Sequence, residues 1–342
     1  MNSLKKDNVL TIAVPGSAIV FTRYLYIKDE VKIALLISLL NKSDAALFWA
    51  FELFYSGFQI ELLSLLFKIY YDFFATLNPT FEVYLNKKKD IYLSELDKRE
   101  KVVASIVNNL LIRDFNTDVF MMRKIGELFE PDPELLERAE VYQILSEKSL
   151  EDGSDELQFV PKKIILLANM LTNKVGGKNK KKKNFYVKFD QESLEQYKTI
   201  TVTPVYRTLA TACKHGIDDD KMLSLFKLAR TKETNLTEKY NTNWLYPASF
   251  SPGWFERIQK CKGYIDYMHQ TVKFVTEEAE EEFYQKYGYE PDEQPLATKE
   301  KAIGPIEKIN TWASFYNKYK RNNLLNVLEE ELEEFDATPL VY

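Results

Sequence analysis

Between Val31 and Leu77 polar positions are so sparse that the chain divides into three apolar blocks, VKIALLISLLN, SDAALFWAFELFYSG and QIELLSLLFKIYYDFFATLNP. Each block has the length and residue types of a helix. The punctuation agrees: Ser43 suits an N-cap, Gly57 suits the position just past a helix end, and Pro79 stops the third block. The second and third blocks are apolar nearly all round, which predicts helices covered on several sides. Glu52, Glu61, Lys68 and Asp72 break every uncharged run short of the ~18 residues a membrane span needs. These are core helices, and no membrane contact is expected.

The same periodicity continues in weaker form. A short helix is predicted over Phe81–Leu85, ending at the basic run Lys87-Lys88-Lys89. A longer amphipathic one follows over Tyr92–Arg113, counted on Leu93, Leu96, Val103, Ile106 and Leu110. Further helices are expected over Thr117–Phe129, Pro133–Lys148, Lys162–Val175, Thr203–Lys214, Asp220–Arg230, Trp254–Val272, Thr276–Tyr287 and Ile306–Glu334. Thr276 and the acidic turn behind it suit a capped helix start. Alternation at Phe185–Phe189 suggests a strand, and Val9–Phe21 a strand or extended arm. The expected fold is therefore all-α in the main. Its antiparallel helical layers resemble a HEAT-like scaffold, with minor β at the N-terminus and near 185–189. No fixed-period repeat is visible, so that likeness is architectural. Pro131 to Pro161, with its acidic stretch 151–156, marks the best boundary. The division expected is an N-terminal helical core over 1–130, a linker with a helix over 131–160, and a second helical domain over 161–290. A Pro-containing connector, terminal helix and acidic tail fill 291–342.

Composition narrows the class. At 342 residues there is room for two domains, and 45% hydrophobic residues supply the cores. Eleven Gly and twelve Pro leave little for an all-β design. A net charge of −5 argues against a dedicated duplex-DNA binder while permitting a local basic patch. Two cysteines, Cys213 and Cys261, are too few for a disulfide framework and suit a reducing compartment. Lys5-Lys6 ahead of Val9–Phe21 loosely imitates a signal peptide, but Asp7 and Pro15-Gly16 interrupt it.

Candidate chemistry is thin. Lys178 and Lys180, Lys181, Lys182, Lys183 form a basic loop beside Phe185 and Tyr186. Such a loop can touch phosphates while the rings stack on bases, and weak RNA contact is the expectation, though a solvated loop tip explains the same residues. Gly176-Gly177-Lys178 lacks the spacing of a phosphate-binding loop. Asp218-Asp219-Asp220 reads as a loop and helix cap rather than a metal site. Cys213, His215, Cys261 and His269 have zinc-compatible types without zinc-compatible spacing. Two histidines outside any nucleophile motif give no catalytic residues, and the glutamates of 277–282 read as a wet helix face. No cofactor, metal or catalytic site is expected. Near the C-terminus, Tyr319, Leu324 and Leu325 match Tyr-x-x-x-x-Leu-hydrophobic, the helix that partners present to the cap-binding translation factor. A looser match lies at Tyr240–Tyr246. With 21 tyrosines chance matches are common, and packing of the last helix onto the body is the competing explanation.

The stretches AALFWAFELFYSGF (45–58), DFFATLNPTFEVYLNKK (72–88) and FYQKYGYEPDEQP (283–295) resemble an uncharacterised protein family of the large nucleocytoplasmic DNA viruses, the giant viruses. The resemblance implies a cytoplasmic product of an infected cell's viral factory, engaged in viral transcription or translation. The resulting expectation is a non-enzymatic helical scaffold for protein–protein assembly. Its most concrete form is a translation-initiation scaffold joining a cap-binding protein, through Tyr319, to a helicase. The alternatives are a nucleic-acid-associated factor of viral transcription or packaging acting through Lys178–Lys183, and a virion structural component.

Overall fold

A computed structural model describes residues 19–117, 119–120, 194, 197, 243–287 and 312–323. Most of these are helical, and their one sheet has two strands. The chain forms two compact units, neither continuous in sequence: one draws on residues 1–29, 52–59 and 234–304, the other on 30–51, 60–233 and 305–342. Among the described residues no helix is long and apolar enough to cross a membrane.

The larger unit holds the apolar blocks apart from residues 52–59, which belong to the smaller unit. Helices α1 (Lys28–Leu40), α2 (Ala45–Tyr55) and α3 (Gln59–Ile69) stand where the pattern predicts them. Ser43 accepts a hydrogen bond from the Ala45 N–H at 3.3 Å, and Gly57 takes φ +94° just past α2. In α1 every residue from Ile33 to Leu40 is buried, so this helix too is covered on all sides. After α3 the chain widens into one π-helical turn, Tyr70–Phe74, closed by the Ala75 N–H on the Tyr70 carbonyl at 2.8 Å. All five residues of that turn are buried. The Tyr70 hydroxyl donates to the Asn78 carbonyl at 3.0 Å and the Tyr71 hydroxyl to Glu82 at 2.9 Å, so neither phenol is buried without a partner.

Two predicted helices are redrawn. Helix α4 spans Phe81–Ser94 and runs straight through the lysine triplet. Lysine is a good helix former, and the Lys88 ammonium lies 5.3 Å from the centre of the Tyr84 ring one turn back. The break comes later, where Glu95 turns extended and a 3₁₀ turn, Leu96–Lys98, precedes α5 (Arg99–Leu111). Arg99 Nε closes the junction by donating to the Tyr92 carbonyl at 2.9 Å. Leu93 and Leu96, counted as one helix face, are exposed and belong to different elements. At the far end of α5, Lys42 Nζ donates to the Leu110 and Arg113 carbonyls while lying over the Phe74 and Phe115 rings. It satisfies carbonyls that a helix end leaves open.

In the smaller unit the first described residues, 19–29, fold back on themselves. The Thr22 N–H donates to the Tyr26 carbonyl at 2.8 Å around a left-handed Leu25, and Phe21 and Ile27 form a single antiparallel bridge. That bridge is the described β structure near the N-terminus. Arg23 is 7% exposed and Glu52 0%, and their side chains meet at 2.9 Å. The second Glu52 oxygen accepts the Tyr24 N–H at 3.0 Å. Helix α6 (Leu245–Ser249) leads into α7 (Pro252–Lys260), whose start is built by Ser251 accepting the Trp254 N–H and by Pro252 in the first turn. Trp254 is the centre of this core: its indole N–H donates to the Thr22 carbonyl at 3.2 Å, and its ring meets Trp244 edge-on at 5.2 Å.

The helix expected over Trp254–Val272 stops at Lys260 and gives way to a hairpin, β1 (Gly263–Asp266) and β2 (Thr271–Phe274). Lys262 adopts φ +57°, which ends the helix. Gly263 follows where a Cβ would fall 2.6 Å from the Ile258 side chain and 2.8 Å from Phe274, so the strand starts against α7 without a side chain. Helix α8 (Glu277–Tyr287) completes this unit, with Thr276 accepting the Ala279 N–H at 3.3 Å. In the larger unit the terminal helix, expected over Ile306–Glu334, is helical over Trp312–Tyr319 (α9) and leaves that path at Lys320. Asn322 is left-handed at φ +52°, and the Asn323 amide donates to the Thr117 hydroxyl at 2.9 Å. Asparagine tolerates that left-handed backbone better than most residues. The helices expected over 133–148, 162–175, 203–214 and 220–230, the strand at 185–189 and the domain boundaries near 130, 160 and 290 lie outside the described residues.

Candidate functional site

The surface of the smaller unit most unlike a solvated one is the hairpin. Its pairing sets Ile265 opposite Val272 and Gly263 opposite Phe274 on one face, with Tyr264 opposite Lys273 and Asp266 opposite Thr271 on the other. The first face is used for folding, since Phe274 packs on Phe283 of α8 at 5.1 Å. On the other face Asp266 is a small hub. Its carboxylate accepts from Lys273 Nζ at 2.7 Å, from His269 Nδ1 at 2.7 Å and from the His269 N–H at 3.1 Å. The Lys273 bond first, and the His269 bonds after it, hold this carboxyl well below the usual range; Asp266 in turn raises Lys273.

The connecting loop is held as well. Gln270 sits at φ +52° and its carbonyl accepts from the Asn243 amide. This fixed turn presents apolar side chains to water: Met268 is 86% exposed, with Tyr267 and Tyr264 about half exposed, and Val275 follows β2 at 65%. Large apolar groups on a structured loop, rather than scattered singly, mark a contact surface. Tyr and Met are enriched where proteins meet. Two residues past Val275 the wet face of α8 begins, with Glu277, Glu278, Glu280, Glu281 and Glu282 all exposed while Ala279 and Phe283 are buried.

Apart from His269 and the glutamates of 277–282, the residues singled out from sequence fall elsewhere. Tyr319 is the last residue of α9 and 3% exposed, packed on Phe315 at 5.0 Å, which in turn meets Phe120 at 5.6 Å. Burial pushes its phenol up to about 12, against a hydrogen bond from Asn41. Leu324 and Leu325 lie outside the described residues, as do Lys178 and Lys180–Lys183, Asp218–Asp220, Cys213 and His215. In the looser match at 240–246, Trp244 and Leu245 are core residues. Cys261 is buried, which raises its thiol, while His269 is exposed on the hairpin loop and bonded to Asp266. Among the described residues no three His, Cys, Asp or Glu side chains gather as metal ligands would.

Sequence reasoning missed the hairpin because Trp254–Val272 was read with one period. The signal was present in Gly263, and in the alternation of Thr271-Val272-Lys273-Phe274 after four loop residues. The chain matches no protein-family model, no curated protein and no solved structure.

Proposed function

We propose that this chain works by holding another protein, and that the hairpin of the smaller unit is a contact surface. The observation that carries this is the exposure of Tyr264, Tyr267, Met268 and Val275 on a loop and strand pair whose backbone is fixed by Asp266, Gln270 and Asn243. Rigid aromatic and thioether groups make contact area at little ordering cost. The five exposed glutamates that open α8 set the partner's chemistry: its contacting face is apolar and basic. This is the scaffold reading of the sequence in its coarser form. A HEAT-like layer that joins a cap-binding protein to a helicase would need Tyr319 on an accessible helix. Since Tyr319 is buried where α9 ends, the proposal rests on the hairpin instead.

Site-specific photo-crosslinking tests it. A photoreactive residue replaces Met268 in the full chain expressed in cells, and another replaces the exposed Asn86 of α4 as control. The expected result is a discrete protein adduct at position 268, absent at 86 and lost when Tyr264→Ser and Val275→Ser are added. Equal labelling at both positions, or an adduct indifferent to the two serines, would overturn the proposal.

A further inference from the structure

Among the described residues of the smaller unit only Cys261 and Met268 carry sulfur, and the fold treats them oppositely. Cys261 follows α7 with 2% of its surface exposed, and burial raises its thiol, which disfavours the reactive thiolate. Met268 is 86% exposed, more than any other large apolar side chain described. The loop that carries it is held by bonds that make no use of its side chain. The Asp266 carboxylate accepts from His269 Nδ1 at 2.7 Å and from the His269 N–H at 3.1 Å, and the Gln270 carbonyl accepts from the Asn243 amide. The thioether is thus presented to solvent by a backbone that its own chemistry does not disturb. Tyr264, Tyr267 and Val275, exposed around it, are its companions in the proposed contact surface.

A thioether sulfur is soft and polarizable, and unlike a thiol it reacts without first losing a proton. Hydrogen peroxide that reaches it transfers one oxygen. The sulfur lone pair attacks a peroxide oxygen, an S–O bond forms as the O–O bond breaks, and the proton of the transferred hydroxyl passes to the departing hydroxide. Sulfur is oxidised to the sulfoxide and the peroxide is reduced to water. A flexible apolar side chain becomes a polar one. We infer that Met268 is an oxidation site for hydrogen peroxide, and that its sulfoxide releases the protein held at the hairpin. The inference rests on the hairpin being a contact surface. Against an apolar partner face the sulfoxide oxygen is desolvated without a donor, which weakens the contact. The hairpin itself keeps its hydrogen bonds, so the reaction is read at the surface and not in the fold. Enzymatic reduction of the sulfoxide restores the thioether and with it the contact.

The test keeps Met268 and places a photoreactive aromatic residue at Tyr267. The purified full chain is oxidised with hydrogen peroxide, freed of it, mixed with cell extract and irradiated, and each chain is compared with its own untreated adduct. Mass spectrometry of the peptide holding Met268 follows the gain of one oxygen. The adduct is expected to fall by about tenfold on oxidation, with helical circular dichroism unchanged, and to return after treatment with methionine sulfoxide reductases. In a Met268→Leu chain peroxide is expected to leave the adduct at its untreated level. Should that chain give no adduct at the outset, recovery of the wild-type adduct in step with reduction at 268 decides the matter. A Met268 that resists peroxide under conditions that oxidise free methionine would remove the oxidation site. Equal loss in the leucine chain, or an undiminished adduct from chain oxidised at 268, would overturn the release while leaving the contact surface standing. Absence of any adduct from the untreated wild-type chain would instead remove the contact surface, and the release with it.

Discussion

At the scale of single residues the smaller unit depends on a charge pair that water does not reach. Glu52 satisfies Arg23 and the Tyr24 N–H together, and Arg23 also donates its backbone N–H to Ser56 at 2.8 Å. Removing one partner of such a pair strands the other in the core, which costs about 3–5 kcal/mol. Glu52→Ala is therefore expected to lower unfolding stability by that order in denaturant titrations. Lys32 and Glu61 make the contrast in the larger unit: this pair is partly solvated, at 16% and 35% exposure. Lys32→Ala should cost no more than about 1 kcal/mol. If the two variants proved equally mild, Arg23 would have to find another anion when Glu52 is gone, and the account of the buried pair would be wrong. Gly57 belongs to the same neighbourhood for a steric reason. Its φ of +94° and the Pro252 Cβ, 2.6 Å from where a side chain would begin, admit no other residue without a shift.

At the scale of elements the hairpin is where local chemistry and the proposed contact surface coincide. Asp266 ties the turn to β2, and its depressed acidity makes that tie pH-dependent. The sign follows from linkage: a carboxyl held lower in the folded than in the unfolded state adds stability above the unfolded value of about 4, and loses it progressively below. Hydrogen exchange at the hairpin amides should therefore show protection falling as pH drops below about 4. Asp266→Asn should start with less protection at neutral pH and lack that acid step; an identical acid profile in both would remove Asp266 from the account. The apolar blocks of α1–α3 were legible because their caps and stops, Ser43, Gly57 and Pro79, are local and agree with their periodicity. The hairpin was not, since Trp254, Ile258 and Val272 fall near helical spacing and only the backbone at Lys262 and Gly263 decides otherwise. The α4–α5 break was hidden for a similar reason: Leu93 and Leu96 supply the helical count yet point into solvent.

At the scale of the whole molecule the limit on legibility is sequence distance. The smaller unit closes through Trp254 on the Thr22 carbonyl, 232 residues apart, and through the Phe21 N–H on the Pro247 carbonyl. Periodicity is a local property and carries no address for such a partner, so two discontinuous units cannot be read from it. The Tyr319 motif shows the same limit: whether a tyrosine is an anchor or a core residue depends on Phe315 and Phe120, the latter almost 200 positions away. The tyrosines that ended in the core give the larger unit a property that can be tested as a whole. Tyr70, Tyr71, Tyr92 and Tyr319 are all raised, in each case chiefly by burial of the neutral phenol, Tyr319 to about 12 and the others further. An unfolded tyrosine ionises near 10. Between that value and the folded ones the native state holds protons that the unfolded state has released. Stability is then whole below pH ~10 and falls as pH rises through the folded values. On alkaline titration, part of the phenolate absorbance should appear only in step with loss of helical circular dichroism, as one cooperative transition. Phenylalanine at Tyr70 and Tyr92, where ring packing is kept and the ionisable group removed, should move that transition to higher pH. Were every phenol to titrate smoothly while the helices persisted, these four rings would have to be in contact with water, and the packing of the larger unit would need to be redrawn around them.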